Sequence, residues 1–301
     1  MSEFLLELYS EEIPPQLQIN ARTQLKQQLE KSLKEEGIQH KECLEYSSPT
    51  RLSIYIKSLP EKIKIKAKEI KGPKVGVPEN ILQGFTNSRN VSEKDLFKKE
   101  TEKGEFYFIK TAEKNILVED LLINILPKAM SAISWKKSMK WSTNNLMWGR
   151  PLRSIFAIFN GKKLPFNYQH LESTDNIIIE KDLITKSQKI KSFKEYLSLL
   201  KSNKIVVDQN ERQKIILKRF NSVSNLKNYK KQYNQRLLEE VVNIVEDPNV
   251  LLVNFDKEYL KIPQEIIIST LEKHQRYFPI FDIRERLTNY FFVVANKKDE
   301  K

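Results

Sequence analysis

The sequence predicts an α+β fold, with mixed or antiparallel sheets, packed helices and two subdomains. Three observations carry this. Short segments alternate apolar and polar residues with period two. Longer segments repeat apolar residues every three or four positions. The two kinds do not alternate regularly, as βαβ units would. The chain opens on a strand, with Phe4, Leu6 and Leu8 alternating with Leu5, Glu7 and Tyr9. Pro14-Pro15 ends that strand and starts a helix, because proline is tolerated in a first helical turn. Leu17, Ala21, Leu25, Leu29 and Leu33 then share one face, and Gly37 closes the helix.

Residues 42–58 read as a strand interrupted by Ser47-Ser48-Pro49, and 61–71 as one further alternating strand broken by Gly72-Pro73. A helix is predicted over 78–90, with Ile81, Leu82 and Phe85 on one side. A hairpin around Glu102-Lys103-Gly104 then puts Phe106, Phe108 and Lys110 on one face. The helical pattern over 117–136 contains Pro127, which predicts a kink or two helices. A strand over 152–159 runs into an Asn160-Gly161 turn leading to Leu164 and Phe166. Helices follow at 192–203, 210–222 and 235–246; the last carries Leu237, Leu238, Val241, Val242 and Val245 and stops at Asp247-Pro248. Val250–Phe255 reads as a strand, Pro263 opens a helix through Ile267, Ile268 and Leu271, and Asn289–Asn296 is the last strand. The subdomain boundary is placed near 125, giving 1–125 and 126–296, with a frayed polar tail at 297–301.

Composition excludes several chemistries. Seven glycines in 301 residues, none spaced as G-x-G-x-x-G or as a glycine-rich loop before Lys-Ser/Thr, argue against a self-contained Rossmann or P-loop enzyme. His40 and Cys43 can share a helix face, but two ligands do not close a tetrahedral zinc site, so no metal site is assigned. The lone Cys43 fits a reducing cytoplasm. The longest apolar runs, such as Val250–Val253 and Phe291–Ala295, fall far short of the ~20 residues that span a bilayer. Met1-Ser2-Glu3-Phe4 has no signal-peptide character.

The net charge of +13 is unevenly placed. Residues 186–236 hold 14 Lys/Arg against Glu195, Asp208 and Glu211. Residues 57–74 hold seven lysines against Glu61 and Glu69, with Lys62, Lys64, Lys66 and Lys68 alternating as on a charged strand edge. Residues 135–153 hold Lys136, Lys137, Lys140, Arg150 and Arg153, no acid, and three tryptophans, Trp135, Trp141 and Trp148. Cations interleaved with indoles suit a nucleic-acid surface, since phosphates need positive charge and bases need flat rings. The alternative there is an indole core with a cationic rim. Candidate RNA contacts are therefore Lys136, Lys137, Lys140, Trp141, Arg150 and Arg153, and, in the second basic segment, Arg212, Lys214, Lys218 and Arg219. Lysine outnumbers arginine 41 to 11, which also fits a genome-wide bias that would put lysine on any solvated surface.

Other motifs carry less. Lys136-Lys137-Ser138-Met139-Lys140 superficially resembles the KMSKS loop of class I aminoacyl-tRNA synthetases, but the His-x-Gly-His partner is absent. Acidic pairs occur at Glu11-Glu12, Glu239-Glu240 and Glu246-Asp247; the first, just before a helix, complements the macrodipole. No convincing nucleophile–base pair is present, so no catalytic residue is assigned. His274-Gln275-Arg276-Tyr277 falls at a predicted helix end, where a cation steadies terminal carbonyls or reaches a partner chain or RNA.

Several blocks together resemble one family, the β subunit of bacterial heterotetrameric glycyl-tRNA synthetase. They are Leu5-Leu6-Glu7-Leu8-Tyr9-Ser10-Glu11-Glu12-Ile13-Pro14-Pro15, Ser48-Pro49-Thr50-Arg51-Leu52, Lys71-Gly72-Pro73, Gly84-Phe85, and Met139-Lys140-Trp141 followed by Arg150-Pro151. Further along come Leu238-Glu239-Glu240-Val241, Val245-Glu246-Asp247-Pro248, Phe255-Asp256, Pro263-Gln264-Glu265, His274-Gln275-Arg276-Tyr277-Phe278 and Val294-Ala295-Asn296. Order and spacing agree over essentially the whole chain. The sequence departs at Ser142, where the family has Gly, at Tyr168-Gln169-His170-Leu171, where it has G-H-R-F, and at Asp247, where it has Trp. The resemblance adds Arg51, His274, Gln275, Arg276 and Tyr277 as candidate partner or RNA contacts. It implies a tRNA-binding and assembly subunit with no catalytic residues of its own. The partners it implies are the glycyl-tRNA synthetase α subunit, which would use ATP and Mg²⁺, and tRNA(Gly), in an α2β2 assembly with no membrane. It also implies a longer chain with HD-like and anticodon-binding domains, so the sequence reads as an N-terminal piece or a split subunit. A stand-alone RNA-binding module and a hydrolytic editing role are the alternatives.

Overall fold

Strand β1 (Ser2–Ser10) is buried on both faces, which explains why Leu5 and Tyr9 are apolar as well as Phe4, Leu6 and Leu8. In the computed structural model, which describes all residues except 1, 66, 68, 90, 112, 142, 144, 182, 183 and 297–301, the chain forms two compact units. One comprises Met1–Pro60 and Leu122–Lys301; the other is Glu61–Leu121. The tail at 297–301, Lys66 and Lys68 of the basic run, and Ser142 lie outside the described residues.

In the larger unit, β1 leads through α1 (Pro15–Glu35) to β2 (Glu42–Ser48) and β3 (Arg51–Leu59). The smaller unit holds β4 (Lys62–Ile65), β5 (Glu69–Lys74), α2 (Glu79–Arg89), β6 (Leu96–Thr101), β7 (Gly104–Lys110) and β8 (Lys114–Leu117). The chain passes back along α3 (Val118–Ser131) to β9 (Leu152–Phe159), β10 (Lys162–Lys163), β11 (Asn167–Tyr168) and β12 (Leu171–Thr174). The hairpin of β13 (Asn176–Lys181) and β14 (Ile184–Lys189) follows, then α4 (Phe193–Ser202), α5 (Gln209–Lys227) and α6 (Gln235–Val242). Last come β15 (Asn249–Asn254), α7 (Gln264–Ser269), a π-helical turn at Thr270–Gln275, β16 (Phe278–Phe281) and β17 (Leu287–Ala295).

The main sheet runs β11-β12-β9-β1-β3-β2, with β10 also on β9. Its pairings are antiparallel except β12 on β9, which is parallel. Helix α1 covers the face that carries Cys43, Glu45 and Ser47: its Arg22 donates to Ser47 Oγ at 2.8 Å and its Lys26 faces Glu45 at 3.5 Å. The opposite face, with Leu5, Phe156 and Ile158, packs under Tyr196 and Leu200 of α4 and Ile177 and Ile179 of β13. A second core joins Ile216 and Phe220 of α5, Leu238 and Val242 of α6, and Phe278 and Phe292 of the β15-β17-β16 sheet.

Three sequence expectations are corrected. Residues 61–71 form two strands in two different sheets, and Gly72-Pro73 lies inside β5. An edge strand tolerates proline, and the β5–β7 pairing absorbs it as a register shift between Lys71 and Lys74. Of the two alternatives over 117–136, two helices are ruled out: one helix runs to Ser131 with Pro127 inside it, and Leu122, Ile125, Leu126, Ala129 and Met130 bury its apolar face. Helix α5 runs on to Lys227, where Asn228 adopts a left-handed φ of 53° and ends it. The short strands between 162 and 189, and β16, were not anticipated: their few residues carry too little alternation to read.

Candidate nucleic-acid interface

The segment between α3 and β9 is built on tryptophan. Trp148 is 1% exposed and packs against Trp135, with centroids 4.9 Å apart, and edge-on against Tyr168 at 6.1 Å. Met139 and Trp148 exchange both backbone hydrogen bonds, Met139 N to Trp148 O at 2.8 Å and the reverse at 3.2 Å. Gly149 completes the anchor. A Cβ there would stand 2.4 Å from Trp135 ring carbons, so only glycine lets the indole lie on the backbone.

This anchor assigns two of the three tryptophans to packing. Trp141 is half-buried, edge-on to the exposed His170 at 6.2 Å. Lys136, Lys137 and Lys140, which precede it in the same segment, are exposed and make no ion pair among the described residues. Met139 and Met147 are also exposed, at 39% and 51%. Nothing in the sequence pattern assigns a contact role to His170, Met139 or Met147; the Met139–Trp148 bridge is what brings the segment around Met147 back to that around Lys140.

The arginines of this segment are engaged elsewhere. Arg150 is half-buried and donates to Gly149 O at 2.9 Å. Arg153 lies over the Tyr9 ring at 5.5 Å, reaches Glu180 at 2.5 Å and faces Glu11 at 3.4 Å. Its hydrogen bond holds the Glu180 carboxyl below the usual carboxylate range.

Arg212 is corrected as a surface RNA contact. It is fully buried and donates to four backbone carbonyls: Val242 at 2.8 Å, Val206 at 2.6 Å, Val207 at 3.1 Å and Ser47 at 2.8 Å. Burial pushes its guanidinium down to about 10. Lys214, Lys218 and Arg219 on the same helix are exposed. No hydrogen bond, ion pair or ring contact among the described residues joins them to the 135–150 segment.

Arg51 is corrected on the same ground. At 2% exposure it faces Glu7 at 3.2 Å and Glu246 at 3.7 Å, and donates to Thr50 Oγ1 at 2.8 Å and Ile178 O at 2.5 Å. Burial works against its charge, but the two carboxylates outweigh it and the pKa is raised. Glu246 also accepts from Ser48 Oγ at 2.7 Å and Thr50 Oγ1 at 3.2 Å.

The His274–Tyr277 block splits. His274 and Gln275 are exposed at the end of the π turn. Arg276 takes a left-handed φ of 59°, bonds Lys273 O and reaches Glu240 of α6 at 2.9 Å, so it ends the turn and ties it to α6. Tyr277 stacks on Phe291 at 5.1 Å. His40 faces Glu30 at 3.6 Å, and burial pushes the Cys43 thiol up to about 12. Among the described residues no three His, Cys, Asp or Glu side chains converge as a metal site, and no helix is long and apolar enough to cross a membrane.

Comparison with known proteins agrees with the sequence blocks. The chain is 34% identical over 300 residues to the glycine–tRNA ligase beta subunit of Rickettsia felis, covering 98% of this chain and 45% of that protein. It is 36% identical over 297 residues to the beta subunit of Rickettsia typhi, covering 98% and 44%. It thus spans a little under half the length of these relatives. The family described as glycyl-tRNA synthetase beta subunit matches residues 4–301, and the chain belongs to that family.

Proposed function

We propose that this chain is a tRNA-handling and assembly part of a cytoplasmic glycine–tRNA ligase. It holds tRNA(Gly) while an α subunit, using ATP and Mg²⁺, activates glycine and attaches it, within an α2β2 assembly. The relatives' description as a beta subunit supports an α partner. The observation that carries the RNA contact is the group Lys136, Lys137 and Lys140, exposed and unpaired among the described residues, in the same segment as the half-buried Trp141. Unpaired ammonium groups that neutralise phosphates displace the counterions condensed on the nucleic acid, and the face of an indole offers a base a stacking surface. Lys214, Lys218 and Arg219 on α5 offer a second set of phosphate contacts.

The test uses purified α subunit and a tRNA(Gly) transcript. Replacing Lys136, Lys137 and Lys140 together by Glu weakens tRNA binding about tenfold or more and flattens the log–log salt slope. The chain is captured by immobilised α subunit, and, with the remaining part of a β subunit supplied, glycylation is restored. Unchanged tRNA affinity and slope overturn the RNA surface. Absence of both α capture and glycylation overturns the subunit reading.

A further inference from the structure

The smaller unit carries a sheet face whose composition differs from that of its reverse. In the β5-β7-β6 sheet, Phe97 sits opposite Phe108, Lys99 opposite Phe106, Lys71 opposite Phe108 and Glu69 opposite Lys110. Strand alternation therefore gathers Phe97, Phe106 and Phe108 on one face with Lys71, Lys74, Lys99, Lys110 and Glu69. The reverse face holds Ile70, Leu96, Tyr107 and Ile109, with Lys98, Glu100 and Glu105 as its charges. Helix α2 packs beside that reverse face, where Phe85 occupies the space a side chain at Gly72 would need, next to Tyr107 O.

The aromatic face is arranged for stacking. Phe97 and Phe108 stack with centroids 6.0 Å apart. Lys71 Nζ stands 3.4 Å over the Phe106 ring, and Lys99 Nζ stands 5.7 Å over Phe108. Phe97 and Phe106 are half-buried, and all four lysines are exposed. The one acid, Glu69, is paired with Lys99 at 2.6 Å. Lys71, Lys74 and Lys110 are left in excess, whereas the reverse face holds two acids, Glu100 and Glu105, against Lys98.

We propose that this face binds unpaired nucleotides of RNA, with bases stacked on Phe106 and Phe97 and phosphates held by Lys71, Lys74 and Lys110. Rings take the flat face of any unpaired base, and the lysines now lying over them move aside to phosphates, where their charge is better matched. A duplex keeps its base faces within its own stack, so the face selects single-stranded segments. The 135–150 segment offers one half-buried indole; this face offers two half-buried rings, Phe97 and Phe106, with Phe108 buried against Phe97. The two surfaces use different residues, so this inference stands or falls apart from the ligase reading.

The test is fluorescence anisotropy of the 301-residue chain with a labelled single-stranded RNA decamer and with a duplex of the same sequence. The decamer binds more tightly than the duplex. Phe106→Leu weakens the decamer about fivefold or more with the salt slope unchanged. The Lys71→Gln, Lys74→Gln double variant flattens the slope by about 1 or more. Lys98→Gln, on the reverse face, leaves both alone. Circular dichroism and thermal melting check that each variant is folded; if Phe106→Leu is not, the lysine pair decides. Equal decamer affinity in wild type and a folded Phe106→Leu, an unchanged slope in the lysine pair, or a preference for duplex overturns the proposal.

Discussion

Tyr196 donates a 2.7 Å hydrogen bond to Glu7, and both side chains are buried in the larger unit. Ser53 lies 2.8 Å from the same phenol oxygen, and Arg51 faces the Glu7 carboxylate at 3.2 Å. A glutamate in the middle of a sheet thus gathers three other side chains, Tyr196, Ser53 and Arg51, between that sheet and α4.

Burial raises the Glu7 pKa above its ordinary value, although Arg51 and the Tyr196 hydrogen bond pull the other way. A carboxyl raised in the folded state binds its proton more tightly there than in the unfolded chain. The stability this contributes is full below the unfolded value and is lost as pH rises through the folded one. Glu7→Gln removes the titration. Denaturant melts from pH 4 to pH 8 will therefore show wild type losing stability relative to Glu7→Gln as pH rises. A wild type that gains on the variant with rising pH would mean that Arg51 dominates.

Arg212 holds four backbone carbonyls that come from β2, the loop before α5 and the end of α6. A lysine lacks the planar fork needed to reach them together. Arg212→Lys is expected to cost at least about 2 kcal/mol in denaturant melts, since buried acceptors lose their donors. Lys214→Gln, on the exposed side, stays within about 0.5 kcal/mol. At temperatures where Arg212→Lys is folded, its tRNA affinity equals wild type; a folded variant with weakened binding would restore Arg212 as an RNA contact.

Gly149 is a packing constraint with an optical reporter. Gly149→Ala puts a methyl 2.4 Å from Trp135 ring carbons, so the indole or the backbone has to move. The expected cost is about 1–3 kcal/mol, with a changed tryptophan emission in the folded state. An unaltered spectrum and melting temperature would mean that the stacked arrangement is not held in solution.

Much of the fold was legible because its signals are local. The stripe Leu17, Ala21, Leu25, Leu29, Leu33 is buried along its whole length, and the hairpin at Gly104 forms with Phe106 and Phe108 on one face. The charge count alone makes Arg212 a surface contact; in the structure it shares one buried helical face with Ile216, Phe220 and Val223, a spacing that the charge count does not weigh. Arg51 carried no such signal. Its partners Glu7 and Glu246 come from distant parts of the chain, and only the β1–β3 register and the turn after α6 bring them together. The candidate RNA surface was half legible: the lysines and indoles were in view, but which tryptophans are core depended on the Met139–Trp148 bridge.

The same division separates Arg153 from the lysines near it in sequence. Arg153 already faces Glu180 and Glu11 and lies over Tyr9, so its charge is matched before any phosphate arrives. Lys136, Lys137 and Lys140 have no such partners among the described residues. Releasing Arg153 to a phosphate would expose two carboxylates that repel the same phosphate, which cancels the gain. Arg153→Gln is therefore expected to leave the salt slope of tRNA binding unchanged, while each of Lys136→Gln, Lys137→Gln and Lys140→Gln lowers it by up to about 1. Glu180→Gln together with Glu11→Gln removes that repulsion and frees the guanidinium, so tRNA binding should tighten, and adding Arg153→Gln to that pair should give back part of the increase. A loss of slope in the single Arg153→Gln variant would show instead that the arginine exchanges its carboxylates for phosphate on binding.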